Sequence, residues 1–215
     1  SASGKPDATE AAAYRMRTTD GRTWQCDIRK EWPAGTVLTY YYSVERGGAA
    51  ERKEWTTVLH RLELTAAGSE YCVYDHWSDL PGDAFLYSSA VTDCLVGTRL
   101  ESPRATRYAR TVRLKVRAPQ LQSGQRLCVV GQQPALGQWK VERAVPMVEH
   151  AVGEWVADVD ASQLYGNQME LKFVAVKAGS SEENVWETGD NRTITLPGMR
   201  DGDVVVYDLT EAFFP

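Results

Sequence analysis

The sequence lacks the features that mark membrane proteins and nucleic-acid-binding proteins. No apolar run reaches the roughly 18 residues that a membrane-spanning helix needs, and the opening stretch SASGKPDATEAAAY contains no signal-peptide core. The net charge is −5 and the isoelectric point is about 5.3, which argues against a nucleic-acid partner, because proteins that bind nucleic acid present a basic face. One basic cluster stands out, which we expect to be a solvated linker and strand edge: Arg104, Arg107, Arg110, Arg113, Lys115 and Arg117.

Cysteine and histidine are scarce and widely spaced. The four cysteines, at positions 26, 72, 94 and 128, form no CxxC pair. The three histidines, at positions 60, 76 and 150, have no metal-ligand spacing. Because a chain of 215 residues can bury a core without disulfides, we expect reduced thiols, a cytoplasmic location, no metal and no cofactor.

Signatures of catalysis are also absent. The sequence has 29 acidic residues, but none lies in a recognisable setting for the paired carboxylates that glycoside chemistry needs. It contains neither a GxSxG nucleophile motif nor a nucleotide-binding glycine loop. We therefore expect the chain itself to have no catalytic residues.

The tryptophans reveal an internal repeat. A distance of 131 residues separates Trp24 from Trp155, and the same distance separates Trp55 from Trp186. Sliding the chain by 131 residues gives ten identities in 49 ungapped positions, where ordinary composition would give roughly three by chance. The pattern predicts a duplicated module.

Short β-branched and aromatic runs bounded by Gly, Asp or Pro dominate both copies, and they include TVLTYYYSV, MELKFVAV and DVVVYDL. Such runs with frequent turns are typical of antiparallel β-sandwiches. We predict an all-β chain of two immunoglobulin-like modules. The predicted boundaries are a degenerate module at residues 1–97 without its opening strands, a linker at 98–110, and a complete module at 111–215.

Three motifs of the second copy carry a family resemblance. In order they are LGQW at 136–139, ELKF at 170–173 and WETGDNR at 186–192. Together they resemble the starch-binding domain, carbohydrate-binding module family 20. This resemblance implies non-catalytic binding of an α-glucan such as starch, glycogen or a maltooligosaccharide. The alternative is a protein-interaction or spacer module with a vestigial sugar site.

A further stretch, YDHWSDLPGDAFLYSSAVTDCL at 74–95, resembles the segment that follows a starch-binding module in disproportionating 4-α-glucanotransferases, glycoside hydrolase family 77. Those enzymes carry two such modules in tandem before a catalytic domain. The resemblance implies that the chain is the N-terminal part of such an enzyme and has the catalytic domain as a partner.

The resemblance also assigns the residues of the sugar site. Trp139 and Trp186 would stack on glucose rings, because an indole offers a rigid apolar face of matching size. Lys172 and Asn191 would hydrogen-bond the hydroxyls. Glu187 would accept from a hydroxyl, or else be a solvated surface charge. The alternative for both tryptophans is burial in the core.

The first copy keeps less of this pattern. Trp55 remains of the tryptophan pair, and Tyr41 stands where the second copy has its lysine, so we expect at most a weak site there. Retention of Trp24 and Trp155 in both copies predicts a shared packing role. Missing opening strands would leave unpaired edges, and a homodimer formed through them is a further hypothesis.

Overall fold

The computed structural model describes residues 12–64, 70–82, 84–87, 108–121, 124–177 and 180–215, excluding the side chains of 85, 86 and 180–183. Every regular element in these ranges is a β-strand or a short 3₁₀ helix, which confirms the all-β prediction. Within the described part of the chain, no helix is long and apolar enough to cross a membrane. The three cysteines within these ranges are free thiols.

The described residues form fourteen strands, most of them short and β-branched as the sequence predicts. In chain order they are β1 (Val37–Tyr40), β2 (Ser43–Arg46), β3 (Ala49–Lys53), β4 (His60–Glu63), β5 (Tyr71–Tyr74), β6 (Thr111–Arg117), β7 (Gln125–Gly131), β8 (Val145–Pro146), β9 (Val148–Ala151), β10 (Glu154–Asp160), β11 (Gln168–Lys177), β12 (Ser180–Trp186), β13 (Arg192–Thr195) and β14 (Val204–Glu211). The 3₁₀ helices are Ala84–Tyr87, Pro134–Leu136, Val141–Arg143 and Ala161–Gln163.

A two-sheet β-sandwich is the largest unit. Its first sheet has the strand order β5-β14-β6-β10-β9, and its second sheet has the order β12-β11-β7-β8 with β13 pairing β11. Alternate side chains of each strand point between the sheets, as the two-residue period requires. These inward residues form one core cluster that includes Val112, Leu114, Val116, Leu127, Val129, Leu171 and Phe173.

The N-terminal region is joined to this sandwich by a strand. Its described residues form two two-stranded ladders, β1–β4 and β2–β3, while β5 enters the first sheet beside β14. The β5–β14 pairing is parallel, with Val204 opposite Tyr71. The sheet of the second predicted module therefore contains a strand from residues 1–97. Most of the predicted linker, residues 98–107, lies outside the described part of the chain.

Part of the strand pairing in the N-terminal region agrees with the 131-residue repeat, whereas β1 pairs β4 one residue out of the register that β11 and β13 would give. Val148 pairs with Val156 between β9 and β10, and the superposed residues Arg17 and Gln25 form an isolated antiparallel bridge. Two backbone hydrogen bonds of 2.8 Å close that bridge. A shift of 131 residues places the counterparts of β6 and β7 before residue 1.

A buried carboxylate braces each region, although Glu54 and Glu187 are 133 residues apart and do not superpose under the 131-residue shift. Glu54 accepts a hydrogen bond of 2.7 Å from the backbone N–H of Tyr42, and Glu187 accepts one of 2.8 Å from that of Phe173. Tyr42 and Phe173 superpose under the 131-residue shift, and both carboxylates belong to buried residues. In both regions a buried carboxylate thus accepts from the corresponding backbone N–H.

Candidate functional site: a two-tryptophan face

The loop that carries Trp139 is built from three successive left-handed residues. Gly137, Gln138 and Trp139 have φ angles of 79°, 53° and 64°. A Cβ on Gly137 would lie 2.6 Å from the carbonyl oxygen of Arg143, so only glycine fits there. Positive φ at non-glycine residues costs energy and is concentrated at functional sites. The backbone N–H of Trp139 donates to the carbonyl of Gly131 at 2.9 Å, which fixes the loop on β7.

Trp139 lies half-buried on the outer face of the second sheet. Cys128 and Val130 of β7 and Val174 of β11 alternate with core residues and therefore point away from the sandwich interior. They form a small cluster of their own, against which Trp139 packs. One side of the indole is thus supported by protein, and the side chain retains partial exposure.

Trp186 lies on the same face. It ends β12 directly opposite Val174 in the antiparallel register, and directly opposed residues project to one side of a sheet. Its side chain is 36% exposed. The structure therefore brings both sequence-predicted tryptophans to one outer surface, and we call Trp139 and Trp186 the two-tryptophan platform.

Lys172 and Asn191 flank this platform. Lys172 precedes Val174 by two positions on β11, so its partly exposed side chain projects to the same face. Its ammonium donates to the carbonyl of Gly189 at 2.7 Å and has two further N–H donors. Asn191 is exposed and directly precedes Arg192, which pairs with the neighbour of Lys172 on β11, Leu171.

Glu187 is not part of this surface. Strand alternation turns it inward from Trp186, and only 4% of it is exposed. Its carboxylate accepts from the backbone N–H of Phe173 and from Arg192 Nη2, both at 2.8 Å. Arg192 also donates to the backbone carbonyls of Leu209 and Glu211. A buried brace thus replaces both sequence alternatives for Glu187, the hydroxyl acceptor and the solvated charge, and Arg192 holds the turn.

The first-copy residues occupy different surroundings. Trp55 packs edge-to-face on Tyr87, with ring centroids 5.5 Å apart. Arg117 of the sandwich places its guanidinium 5.0 Å from the ring of Tyr87 and donates to its hydroxyl. Tyr41 is 48% exposed between β1 and β2. Trp55 therefore takes part in the packing that joins the N-terminal region to the sandwich.

The shared packing role predicted for two tryptophans holds for one of them. Trp155 is 4% exposed in the sandwich core, as expected, whereas Trp24 is 56% exposed and the prediction for it was wrong. Trp155 lies on β10, which is hydrogen-bonded on both sides within a five-stranded sheet. Trp24 adjoins only the isolated bridge at Gln25, so it has no comparable sheet to cover it.

A buried charge layer escaped the sequence analysis. Arg113 and Lys115 of β6 are each 3% exposed, so the prediction of a solvated basic edge was wrong for both. Arg113 pairs with Asp158 at 2.8 Å, and Lys115 donates to the carbonyl of Arg61 at 2.9 Å. The alternation TVRLKVR was the available signal, because it places both cations on one face of a strand. The N-terminal region covers that face.

Hydrogen bonds and ion pairs within this layer shift the pKa values of its side chains. Although burial opposes protonation of His60, hydrogen bonds with Asp208 and Glu54 raise its pKa to about 9. The hydrogen bond with His150 and the pairing with Arg61 lower the pKa of Glu63 to about 2. His60 and Glu63 belong to β4, whereas His150 and Asp208 belong to the sandwich. Charge pairs therefore join the two parts of the chain.

Part of the sandwich matches a known protein family. Residues 109–205 match the family described as "Starch binding domain". This segment, the starch-binding domain below, contains every residue assigned to the second-copy site. Over 100 residues the chain is 31% identical to the cyclomaltodextrin glucanotransferase of Geobacillus stearothermophilus, covering 45% of this chain but only 14% of that enzyme.

Solved structures of similar sequence include glucoamylase and amylase chains. The family 15 glucoamylase of Hypocrea jecorina is 26% identical with a TM-score of 0.40, over 52% of this chain and 18% of that one. The family 20 module of a maltotetraose-forming amylase of Pseudomonas saccharophila is 18% identical with a TM-score of 0.37, over 44% of this chain and 98% of that one.

Proposed function

We propose that the starch-binding domain binds an α-glucan, without catalysis, through the two-tryptophan platform. The observation that carries the proposal is the placement of Trp139 and Trp186 on one outer face within the segment that matches the family. An α-1,4-glucan presents apolar C–H faces that match an indole and hydroxyl edges that match polar side chains.

The polar flank suits the hydroxyl edges. Lys172 has N–H groups beyond the one given to Gly189, and the Asn191 amide both donates and accepts. The cluster of Cys128, Val130 and Val174 supports the Trp139 ring and fixes it before binding. Little side-chain entropy is therefore lost when a sugar stacks on it. A shallow platform of this kind should bind with a Kd between about 1 µM and 1 mM, or roughly −8 to −4 kcal/mol.

Electrophoresis of native protein through gels containing soluble starch tests the proposal. Retardation of the intact chain should fall in Trp139→Ala and in Trp186→Ala. Trp24→Ala is the matched control, because that exposed tryptophan lies outside the starch-binding domain. Equal retardation of all three variants and the intact chain would overturn the proposed site.

The first copy is better suited to packing than to sugar binding. The Trp55 ring packs against Tyr87. Tyr41 is the other residue of the weak sugar site expected in the first copy. We propose that this region is a spacer docked on the starch-binding domain. A Trp55→Ala variant should therefore lose stability and keep its retardation in starch gels. Unchanged stability with reduced retardation would instead indicate a sugar site in this copy.

We further propose that the chain is the N-terminal part of a 4-α-glucanotransferase, in a cytoplasmic setting. The resemblance of residues 74–95 supports this parent, and the 131-residue repeat of the sequence supports two modules in tandem. The domain would tether glucan near the active site and so raise its effective concentration. The whole natural protein should transfer glucan segments between maltooligosaccharides, as seen by product chromatography, and a protein without transferase activity would contradict the assignment.

A further inference from the structure

A second candidate site lies where the N-terminal region covers the first sheet. His60 of β4, Asp75 just after β5 and Asp208 of β14 bring one ligand atom each to within 4.8 Å of one another. His76 approaches the same group, with its Nδ1 3.4 Å from Asp208 Oδ1. Imidazole nitrogen and carboxylate oxygen are ligands that zinc and related divalent ions prefer.

Neighbouring side chains orient these groups as they would around a metal. Glu54 hydrogen-bonds His60 Nε2 at 3.0 Å, which leaves Nδ1 directed toward Asp208 at 3.7 Å. The hydroxyls of Tyr40 and Tyr42 both donate to Asp75 Oδ2, at 2.5 and 2.9 Å. Histidine ligands that bond a carboxylate through the other ring nitrogen, and carboxylate ligands that are themselves hydrogen-bonded, are characteristic of protein metal sites.

Two buried atoms of the cluster have no hydrogen-bond partner among the described residues, although one of them lies 3.4 Å from Asp208 Oδ1. They are Asp75 Oδ1 and His76 Nδ1. Buried polar atoms are normally satisfied, and an orphaned one calls for an unseen partner. Both atoms are potential metal ligands. Hydrogen bonds already orient the side chains next to them in the cluster.

The charge balance of the cluster also calls for a cation. Asp75, Asp208 and Glu54 face one ammonium, that of Lys115, which lies 4.0 Å from Asp208 Oδ2. The other carboxylate near Lys115, that of Glu154, is paired with His150. With the proton that His60 holds, the cluster keeps one excess negative charge, and exchanging that proton for a divalent ion would cancel it.

We propose that His60, Asp75 and Asp208, completed by His76, bind one divalent transition-metal ion of the zinc class. The ligands come from β4, from the segment after β5 and from β14, so the ion would fasten the N-terminal region onto the β-sandwich. This site is independent of the two-tryptophan platform and does not rest on glucan binding.

Cobalt(II) titration of the chelator-treated intact chain tests the site. We expect one equivalent of Co²⁺ to give the visible absorption of a four-coordinate nitrogen–oxygen site, to be displaced by Zn²⁺, and to raise the melting temperature. Asp75→Asn preserves the shape that accepts the tyrosine hydroxyls and should weaken Co²⁺ binding by about 100-fold or more. His76→Gln, at a partly exposed residue, should weaken it by about tenfold or more.

The controls separate this site from adventitious binding. Cys26→Ser/Cys72→Ser removes two free thiols and should leave the Co²⁺ spectrum unchanged. Near-ultraviolet circular dichroism establishes that each variant is folded. The proposal is overturned if the folded intact chain takes up no stoichiometric Co²⁺, or if Asp75→Asn and His76→Gln both bind it as the intact chain does.

Discussion

Replacing Glu187 by glutamine separates a structural role from a sugar-binding role. The carboxylate accepts hydrogen bonds from the backbone of Phe173 and from two nitrogens of Arg192, Nε at 3.0 Å and Nη2 at 2.8 Å. Glutamine keeps the shape and one acceptor oxygen, but its amide group would face guanidinium donors. We therefore expect Glu187→Gln to lower stability and to leave the two-tryptophan platform in place.

The size of the loss follows from the burial of the pair. The side chain of Glu187 is 2% exposed and that of Arg192 is 20% exposed. Removing one partner of a buried pair costs about 3 to 5 kcal/mol. Partial exposure of Arg192 and the retained acceptor place the expected loss at the low end, near 3 kcal/mol. For a domain of this size such a loss lowers the melting temperature by roughly 6 to 12 °C.

Urea denaturation and calorimetry measure both quantities on one variant. Glu170→Gln is the matched control, because Glu170 is an exposed carboxylate on β11, and it should change stability by less than about 0.5 kcal/mol. Binding of β-cyclodextrin by folded Glu187→Gln should stay within about threefold of the intact chain. Unchanged stability together with a tenfold loss of binding would refute this reasoning and return Glu187 to the sugar site.

Three further predictions concern the core, the platform loop and pH. Trp155→Ala should cost about 3 to 5 kcal/mol in urea denaturation, whereas Trp24→Ala should cost less than about 0.5; similar costs would contradict the difference in burial. Gly137→Ala should lower stability by about 1 to 3 kcal/mol and weaken β-cyclodextrin binding, because the added Cβ would displace the platform loop; unchanged binding would show that the loop accommodates it. The pKa of Glu63 is lowered from 4.5 to about 2, chiefly by His150, so its contribution is complete above pH 4.5 and is lost as the pH falls toward 2. The stability deficit of His150→Gln should therefore shrink over that interval, and a constant deficit would contradict the pairing.

Most of the sandwich and the core of the candidate site could be predicted from the sequence. Short alternating runs specify half-buried strands, and the family resemblance carried by LGQW, ELKF and WETGDNR implied one site for Trp139, Lys172 and Trp186. The inward turn of Glu187 follows from its adjacency to Trp186 on a strand. Family resemblance nevertheless favoured the surface for it, and the buried brace with Arg192 became evident only from the packing.

The docking of the N-terminal region could not be predicted in the same way. Parallel pairing of β5 with β14 joins segments more than a hundred residues apart and has no local turn signal. A basic residue on an outer strand face is ordinarily solvated, so Arg113 and Lys115 gave no sign that another part of the chain would cover them. The three histidines have no ligand spacing in the sequence. The cluster of His60, Asp75 and Asp208 therefore could not be predicted, because only tertiary contacts bring these residues together.

Calorimetric titration with β-cyclodextrin, a rigid mimic of one amylose turn, tests the central claim most directly. The intact chain should bind with a Kd between about 1 µM and 1 mM, and the folded Trp139→Ala/Trp186→Ala variant should give no measurable heat. Absence of binding by the folded intact chain, or undiminished binding by the double variant, would contradict glucan binding at the two-tryptophan platform.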